Sequence, residues 1–370
     1  MKGQWIGRYS GTFDGQIVVN VDEYQEHYQG IAYLIDDNKA ALRVAVGFQT
    51  PNKDHEFTFR TREINVFDPV SQQISTPDGV QQYFPEVPMA DFVDVKIPWA
   101  DDELRISSTT NIGRTTNSTI RRRSPDRPSE LPADSYSWDK FKQYVATLAG
   151  RSFLFRGQNE PWRLRTSFHR TGRADVMRFQ REDFLELYKQ LSARTKHVFN
   201  LLLPDEYGAF LNLIQHHGYP TPILDWTYSP YVAAFFAYRG VSNEDAAKSD
   251  PAAKVRIHVL DQARWKSQQR MFSILGPSEL HFSIFEFSAI ENERMIPQQA
   301  ASTVTNVDDI EEFIRSKEVD ATPYLRAIDL PVGEREKVIR ELGYMGITAG
   351  SLFPGLDGAC EELKERNFEI

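Results

Sequence analysis

One stretch, residues 215–238, constrains the fold of this chain more than any other. It begins with Gln215-His216-His217-Gly218. A predicted strand follows two prolines and ends in Asp225-Trp226-Thr227. Ser229 then suits the N-cap of a helix that has Pro230 in its first position. That helix is apolar nearly all round and should be buried. Because ligands tend to bind where a buried strand ends against the start of a helix, the polar cluster predicts one wall of a pocket.

An earlier apolar run predicts the opposite wall of this pocket. Ser152-Phe153-Leu154 leads into Phe155-Arg156-Gly157, which places an arginine at the end of a predicted strand. The planar guanidinium of arginine has forked donors that suit phosphate or ribose oxygens. We therefore expect Arg156 and Asp225-Trp226-Thr227 to lie close together.

The composition is that of an ordinary soluble globular protein, with 41% hydrophobic and 26% charged residues in 370. This length favours two domains. The single cysteine, Cys360, excludes an internal disulfide and argues against a cysteine-based metal site. No apolar run is long enough for a transmembrane helix, and the first residues have no signal-peptide pattern. The sequence thus predicts a cytoplasmic protein that does not contact the membrane.

Charge is distributed unevenly along the chain, whose net charge is −9. Residues 1–120 hold 10 basic and 17 acidic residues, whereas residues 151–200 hold 11 basic and 5 acidic ones. Arginine in such density suits phosphates, so Arg163, Arg165 and Arg170 are predicted to bind an acceptor substrate. The alternative is a solvated basic face.

The domain organisation follows from turn and strand signals. Many short strands with Gly, Asn and Pro between them predict a small all-β domain, a barrel or a sandwich, over residues 1–120. This domain has no cluster at catalytic spacing, so we expect it to bind or regulate. Residues 121–137 predict a Pro-rich linker between two separate cores, and residues 138–370 an α+β domain. Predicted strands cover residues 3–11, 16–21, 30–35, 41–48, 56–59, 64–67, 92–97, 104–108, 255–260 and 283–287, and predicted helices cover 138–148, 176–199, 205–217, 308–315 and 334–342.

Together these motifs resemble the FRG domain family, which is named for its (F/Y)RG motif. The resemblance covers roughly residues 138–366. Its matches are Phe155-Arg156-Gly157, Gln215-His216-His217-Gly218 with Pro220-Thr221, Leu224-Asp225-Trp226-Thr227, the helix from Ala233 to Ala237, Arg294 with Gln298-Gln299, Gly346-Ile347, Leu352-Phe353-Pro354 and Leu356-Asp357-Gly358. Gly355 stands where the family pattern has an acidic residue, and Ala300 where it has glycine.

The FRG domain is similar to the ADP-ribosyltransferase fold, and this resemblance implies a site for NAD as co-substrate without a metal. It implies catalytic roles for Arg156, Asp225, Thr227, Gln298 and Gln299, and cofactor contacts from Phe155, Arg156, Gly157, His216, Trp226, Tyr228 and Arg294. In that fold a third strand carries a glutamate. Here Glu291 and Glu293 precede the matching position, and a glutamine fills it.

Each of these residues also has an ordinary structural interpretation. Arg156 is alternatively the partner of a core carboxylate, Trp226 a core aromatic, and Asp225 a helix cap. Gln298 and Gln299 alternatively complete a strand. His216 and His217 diverge by about 100° on a helix, so we expect only one of them to face the pocket.

The leading functional hypothesis is an NAD-dependent ADP-ribosyltransferase that acts as a toxin or anti-phage effector. Its acceptor is a nucleic acid such as RNA, or a protein, and an antitoxin or regulatory partner is possible. An alternative from another class is a nucleotide-binding sensor or interaction module without catalysis. A weaker alternative is a metal-assisted nuclease built on Asp225 and His216.

Overall fold

The amino-terminal third of the chain forms a nine-stranded antiparallel sheet that curls into a nearly closed barrel. The structure is a computed structural model, and it describes residues 1–37, 42–70, 74–124, 126–273, 275 and 279–368. The strands are β1 (Gly3–Gly11), β2 (Gly15–Glu23), β3 (Tyr28–Asp36), β4 (Arg43–Gln49), β5 (Glu56–Thr61), β6 (Ile64–Val66), β7 (Val93–Pro98), β8 (Glu103–Thr110) and β9 (Thr115–Arg121). A short helix, α1 (Pro77–Tyr83), precedes β7.

The order of strands in this sheet is β5-β7-β8-β9-β1-β2-β3-β4-β6. Its two edges approach each other at Gly47, whose N–H donates to the Glu63 carbonyl while the Thr61 hydroxyl donates to the Gly47 carbonyl. The predicted all-β domain is therefore confirmed as a barrel. The prediction missed β9, because Ser118 and Ile120 alone are buried in that strand and its polar sequence shows no apolar alternation. The predicted strand at 41–48 begins at a residue outside the described ones.

The rest of the chain is a mixed α/β region around a seven-stranded sheet, in the order β10-β16-β13-β11-β12-β15-β14. Its strands are β10 (Ala133–Ser135), β11 (Phe153–Gln158), β12 (Ile223–Thr227), β13 (Lys254–Asp261), β14 (Phe282–Phe285), β15 (Ala300–Thr305) and β16 (Leu325–Pro331). The β10–β16 pair is parallel, and the other pairs are antiparallel. Residues 121–137, predicted as a linker, thus contribute a strand to the second sheet.

Helices surround this sheet on both faces. They are α2 (Trp138–Val145), α3 (Ser167–Arg170), α4 (Val176–Phe179), α5 (Leu185–Leu191), α6 (Pro204–His216), α7 (Pro230–Tyr238), α8 (Asn243–Lys248), α9 (Gln262–Gln268), α10 (Ile310–Ser316), α11 (Arg335–Tyr344), α12 (Ala349–Leu352) and α13 (Leu356–Phe368). One π-helical turn (Gln180–Phe184) and one 3-10 turn (Val332–Glu334) complete the set in the described residues. Among those residues, no helix has the length and apolar character needed to cross a membrane.

The predicted long helix at 176–199 is wrong in its extent. The π-helical turn interrupts it, and α5 ends at Leu191. Past that point the hydroxyl of Ser192 donates to the Lys189 carbonyl, and that of Thr195 donates to the carbonyls of Leu191 and His197. Such side-chain bonds to the backbone compete with helical ones, and they end the helix here.

The barrel packs on the α/β region through the outer faces of β1 to β4. On β2, Ile17, Val19 and Val21 point into the barrel, while Val18 and Asp22 point outward and are equally buried. The alternation of side chains along a strand produces these two faces. Both faces of β2 are covered, because the α/β region lies against the outer one.

A buried polar network fixes this contact. One Asp22 carboxylate oxygen accepts the backbone N–H groups of Ala174 and Asp175, at 2.7 and 3.2 Å, and the other accepts from Arg173 at 3.2 Å. Gln4 donates to the Asn306 carbonyl and accepts the Asp308 N–H. The two cores that the sequence predicted as separate therefore meet across an ordered interface. We expect a truncation at residue 120 to expose this interface rather than to leave an intact domain.

Replacing Asp22 by alanine should lower the free energy of unfolding by about 3 kcal/mol, since it leaves two buried N–H groups without an acceptor. Asp37→Ala is the matched control, because Asp37 pairs with Arg8 on the surface, where ion pairs contribute about 0–1 kcal/mol. Urea denaturation of both variants measures the difference. Equal losses in the two variants would show that the interface contributes no more than a surface pair.

Candidate functional site

The candidate site lies where two neighbouring strands of the seven-stranded sheet separate. β11 and β12 pair at a single position, Phe155 with Thr227. By contrast, β11 pairs with β13 at six positions and β12 with β15 at five. Beyond Phe155 the strands diverge, and Arg156 bridges the gap by donating from one terminal nitrogen to the backbone carbonyl of Asp225 at 2.7 Å.

The opening forms a cavity of about 350 Å³, which we call the cleft. Its side walls come from β11, β12, α6 and α7, and its far wall comes from β15, the loop before it and the residue after α12. The lining residues are Phe155, Arg156, Gly157, Asn212, Gln215, His216, Asp225, Trp226, Thr227, Ala233, Phe236, Asn292, Arg294, Met295, Gln298, Ala300, Ser302 and Phe353. The structure thus brings together the two motifs that were predicted to face each other.

Arg156 occupies the centre of this arrangement, since it also lines two neighbouring concavities. Its Nε is buried without a hydrogen-bond partner, and it forms no ion pair with any described residue. Burial lowers the pKa of Arg156 to about 10, an effect that Asp225 opposes and Arg170 reinforces. The guanidinium is therefore still charged at neutral pH, and most of its donors are available to a ligand.

Two further arginines stand near Arg156 without a carboxylate partner in the described chain. Arg170 lines both neighbouring concavities and donates to the Arg165 carbonyl at 2.8 Å. Arg294 lines the cleft, with its guanidinium 5.1 Å from the centre of the Phe353 ring. Guanidinium groups that lack carboxylate partners favour an anionic ligand, and phosphate oxygens match their geometry.

Among the described residues, Asp225 is the one acidic side chain in the cleft lining. Its side chain is exposed to solvent at the opening of the cleft, while the carboxyl group still lies close enough to the surrounding protein to lose part of its hydration. This partial burial raises the pKa of Asp225, while the neighbouring Arg156, a hydrogen bond from Gln215 and the charge of Arg170 oppose the shift. A carboxylate in such a position attracts positive charge and accepts hydrogen bonds from hydroxyl groups.

Neutral polar groups complete the lining. Asn292 is buried, and its side-chain oxygen has no hydrogen-bond partner among the described residues. The amide of Gln298 donates to the Leu352 carbonyl at 2.9 Å. Burial lowers the pKa of His216 to about 4, with smaller contributions from Arg294 and His217, so this imidazole is neutral at pH 7. His216 lines the cleft whereas His217 is exposed, as expected for adjacent residues on a helix.

Three residues that the resemblance placed in the site have polar side-chain contacts within the protein, and two of them, Trp226 and Thr227, still border the cleft. The indole of Trp226 points to the opposite face of β12, where it packs near Phe282 and donates to the Thr303 hydroxyl at 3.1 Å. Tyr228 lies outside the lining and donates its hydroxyl to Glu286 at 2.7 Å. The Thr227 hydroxyl donates to the Gln298 carbonyl and accepts the N–H of Ser229, so it fixes the start of α7.

Gln299 is also outside the cleft. It is exposed and adopts a left-handed backbone conformation with φ of 47°, in the tight turn that leads into β15. Gln298 therefore remains in the lining without its neighbour. Glu291 and Glu293 are exposed, and Glu291 accepts the backbone N–H groups of Lys196 and His197.

Two of the three arginines predicted to bind an acceptor are engaged within the protein. Arg163 and Arg165 are each 7% exposed. Arg163 pairs with Asp309 and Glu311, and Arg165 pairs with Asp308 and Asp126. Because these carboxylates pair with the two buried guanidinium groups, the prediction is corrected, and of the three residues Arg170 remains exposed beside the cleft.

Sequence reasoning missed several residues of the lining. Asn212 is a polar residue on α6 among eight consecutive buried ones, a pattern that indicates a packed or ligand-facing amide. Asn292 comes from an irregular loop. Phe236 and Phe353 meet edge to face, 5.8 Å apart, from segments far apart in the chain. No local pattern reveals such a pair.

The glycine of Phe155-Arg156-Gly157 has a steric role. A Cβ at Gly157 would lie 1.9 Å from the Ala233 carbonyl oxygen and 2.6 Å from the Ala237 nitrogen. Only glycine therefore allows α7 to cross β11 at this distance. The close crossing brings Ala233 and Phe236 into the cleft lining beside Arg156.

Comparison with known families finds a match to one segment of the chain. Residues 151–246 match the FRG domain. This match supports the FRG family for the segment that holds β11, α6, β12 and α7, and hence for the walls of the cleft up to Phe236. Arg294, Gln298 and Phe353 lie beyond the matched residues.

No curated protein matches the chain. A solved structure with partial similarity is that of a redesigned beta barrel, with 11% identity and a TM-score of 0.23 over 33% of this chain and 91% of that one.

Gly157→Ala should destabilise the FRG segment by about 1–3 kcal/mol, because the added methyl group forces α7 away from β11. Gly150→Ala is the control, since a Cβ at Gly150 meets nothing within 4 Å. Thermal unfolding followed by circular dichroism compares the two variants. If Gly157→Ala unfolds at the wild-type temperature, the close crossing of helix and strand is not required.

Proposed function

We propose that this protein is an NAD-dependent ADP-ribosyltransferase whose site is the cleft. The observation that carries this proposal is the set of arginines around the opening of the sheet. Arg156 and Arg294 line the cleft and Arg170 lies beside it, all without carboxylate partners in the described residues. A diphosphate supplies the charge and the oxygen geometry that such donors require.

The combined volume of the cleft and a neighbouring cavity is large enough for a dinucleotide. Ligand pockets commonly enclose about 300–1,000 Å³. The cleft measures about 350 Å³, and one neighbouring concavity of about 290 Å³ shares Arg156, Gln215 and Asp225 with it. An elongated ligand held by Arg156 at the junction can place one end in each cavity. The edge-to-face pair Phe236 and Phe353 gives an aromatic ring of the ligand an apolar surface.

The reaction breaks the bond between the ribose C1′ and the nicotinamide nitrogen, the electron pair leaves with nicotinamide, and an acceptor atom bonds to C1′ as it loses its proton. Positive charge develops on the ribose as this bond breaks. Asp225 is the carboxylate that can oppose this charge, since the described lining contains no other. Asn292 and Gln298 are placed to accept or donate hydrogen bonds at hydroxyl groups.

An acceptor reaches this site through the groove that Arg156 shares with Arg170. The groove measures about 880 Å³, and Trp162, 50% exposed, stands on its rim beside Gln158 and Asn159. A cationic groove with an exposed aromatic residue favours a nucleic acid such as RNA over a protein acceptor. An activity of this kind would act as a toxin or anti-phage effector in the cytoplasm, under the control of an antitoxin or regulatory partner.

A second candidate function is nucleotide binding without turnover, as a sensor or interaction module. The position of Glu291 and Glu293 outside the cleft favours it, because the described lining contains no glutamate where charge would develop. The metal-assisted nuclease built on Asp225 and His216 stays a weaker alternative, and the described residues contain no group of three or more potential metal ligands.

Incubating the protein with NAD labelled in the adenylate part and with separate pools of RNA, DNA and protein tests the proposal. We expect label transfer and nicotinamide release with wild type, and loss of both in Arg156→Ala and Arg156→Lys. Arg340→Ala is the control, because Arg340 forms a surface pair with Glu336. Tight binding of NAD by calorimetry without any release would favour the sensor. If the protein neither binds NAD nor releases nicotinamide, both functions are contradicted.

Variants of the cleft separate the residues in the lining from those outside it. Asp225→Asn and Gln298→Ala should lower kcat by at least tenfold, whereas Gln299→Ala and Glu293→Ala should keep wild-type turnover. The reason is that only the first two residues line the cleft. Nicotinamide release measured over a range of NAD concentrations gives kcat and KM. Full activity of both Asp225→Asn and Gln298→Ala would place the chemistry elsewhere.

A further inference from the structure

The interior of the barrel is packed at one end and hollow at the other. Around Trp5, Leu104 and Ile120 the side chains are at most 1% exposed. Toward the other end, six inward-facing apolar side chains are only partly buried. They are Ala32, Leu34, Val44, Val46, Phe59 and Ile64. These residues line a cavity of about 160 Å³, which we call the barrel cavity.

The difference between the two ends follows from residue size. Trp5 fills the packed end, whereas the hollow end is faced by the short side chains of Ala32, Val44 and Val46 on neighbouring strands. Protein interiors are normally packed as densely as organic crystals, and barrels of this size are either filled by side chains or hold a small ligand. Apolar side chains that remain accessible inside a barrel indicate the second case.

The mouth of the barrel cavity carries a cation. Arg114, in the turn between β8 and β9, lies with its guanidinium 5.2 Å from the centre of the Phe13 ring. It forms no ion pair with a described residue. Ser108, Thr110 and Thr116 add hydroxyl groups nearby, while Asp36 and Tyr9 lie on the lining as well. An apolar interior with one cation at its entrance fits a molecule that has an apolar body and one carboxylate.

We infer that the barrel cavity binds a medium-chain monocarboxylate, with its chain among Ala32, Val44 and Val46 and its carboxylate at Arg114. A cavity of about 150 Å³ lined by apolar side chains holds benzene. The barrel cavity has a similar volume and is open at its mouth, so a chain of about eight carbons suits it. This site is separate from the cleft and does not depend on the proposed function.

Titration calorimetry of the full chain with octanoate and with octanol tests this inference. We expect wild type to bind one octanoate, and Ala32→Phe to weaken binding at least tenfold because the ring fills the cavity. Ile6→Phe is its control, since Ile6 points outward from β1 and is 37% exposed. Val44→Leu fills the cavity with less strain, and it should weaken binding as well. Circular dichroism establishes that each variant is folded.

The headgroup is tested by Arg114→Met, which should weaken octanoate binding about tenfold and leave octanol binding unchanged. Arg105→Met is its control, because Arg105 is exposed on β8 and pairs with Glu103. Absence of octanoate binding to wild type would overturn the inference. Binding that is insensitive to Ala32→Phe and Val44→Leu, or to Arg114→Met, would overturn it too.

Discussion

The close crossing of α7 over β11 is the contact on which the site depends. It requires glycine at residue 157, because any side chain there would meet the backbone of α7. At the same place β11 parts from β12, and the two strands share a single residue pair. Arg156 is then left in the gap between them with most of its donors free. A steric constraint, a strand separation and an available cation thus coincide at one short motif, Phe155-Arg156-Gly157.

The surroundings of the cleft explain why this arginine remains available. Nearby acidic residues are already paired with other cations, as Asp308 is with Arg165 and Asp309 with Arg163. Asp225, the nearest acidic residue, offers Arg156 its backbone carbonyl rather than its carboxylate. The barrel contributes indirectly. Asp22 of the barrel binds Arg173 and the backbone of Ala174, and this segment directly follows α3, the helix that ends at Arg170.

The sequence predicted the structure correctly where one short motif determines both the local fold and a residue of the site. The cap at Ser229 and the buried α7 follow from residues close together in the chain, and the meeting of Arg156 with Asp225, 69 residues apart, follows from two short motifs that each end a strand. Asn292 and Phe353 come from a distant loop and a distant helix end, and only the three-dimensional fold brings them into the lining. The arginine cluster was misleading, because charge density does not reveal that Asp309 and Asp308, more than a hundred residues away, neutralise Arg163 and Arg165. Nor did the Pro-rich segment before residue 138 predict a strand beside β16.

The central claim is that Arg156 seats a diphosphate where β11 and β12 separate. A crystal structure with a non-hydrolysable NAD analogue tests this claim most directly. We predict that a diphosphate oxygen lies within hydrogen-bond distance of the Arg156 guanidinium, with the ligand extending toward Phe236 and Phe353. A ligand bound away from Arg156, or with its diphosphate in solvent, would contradict the account.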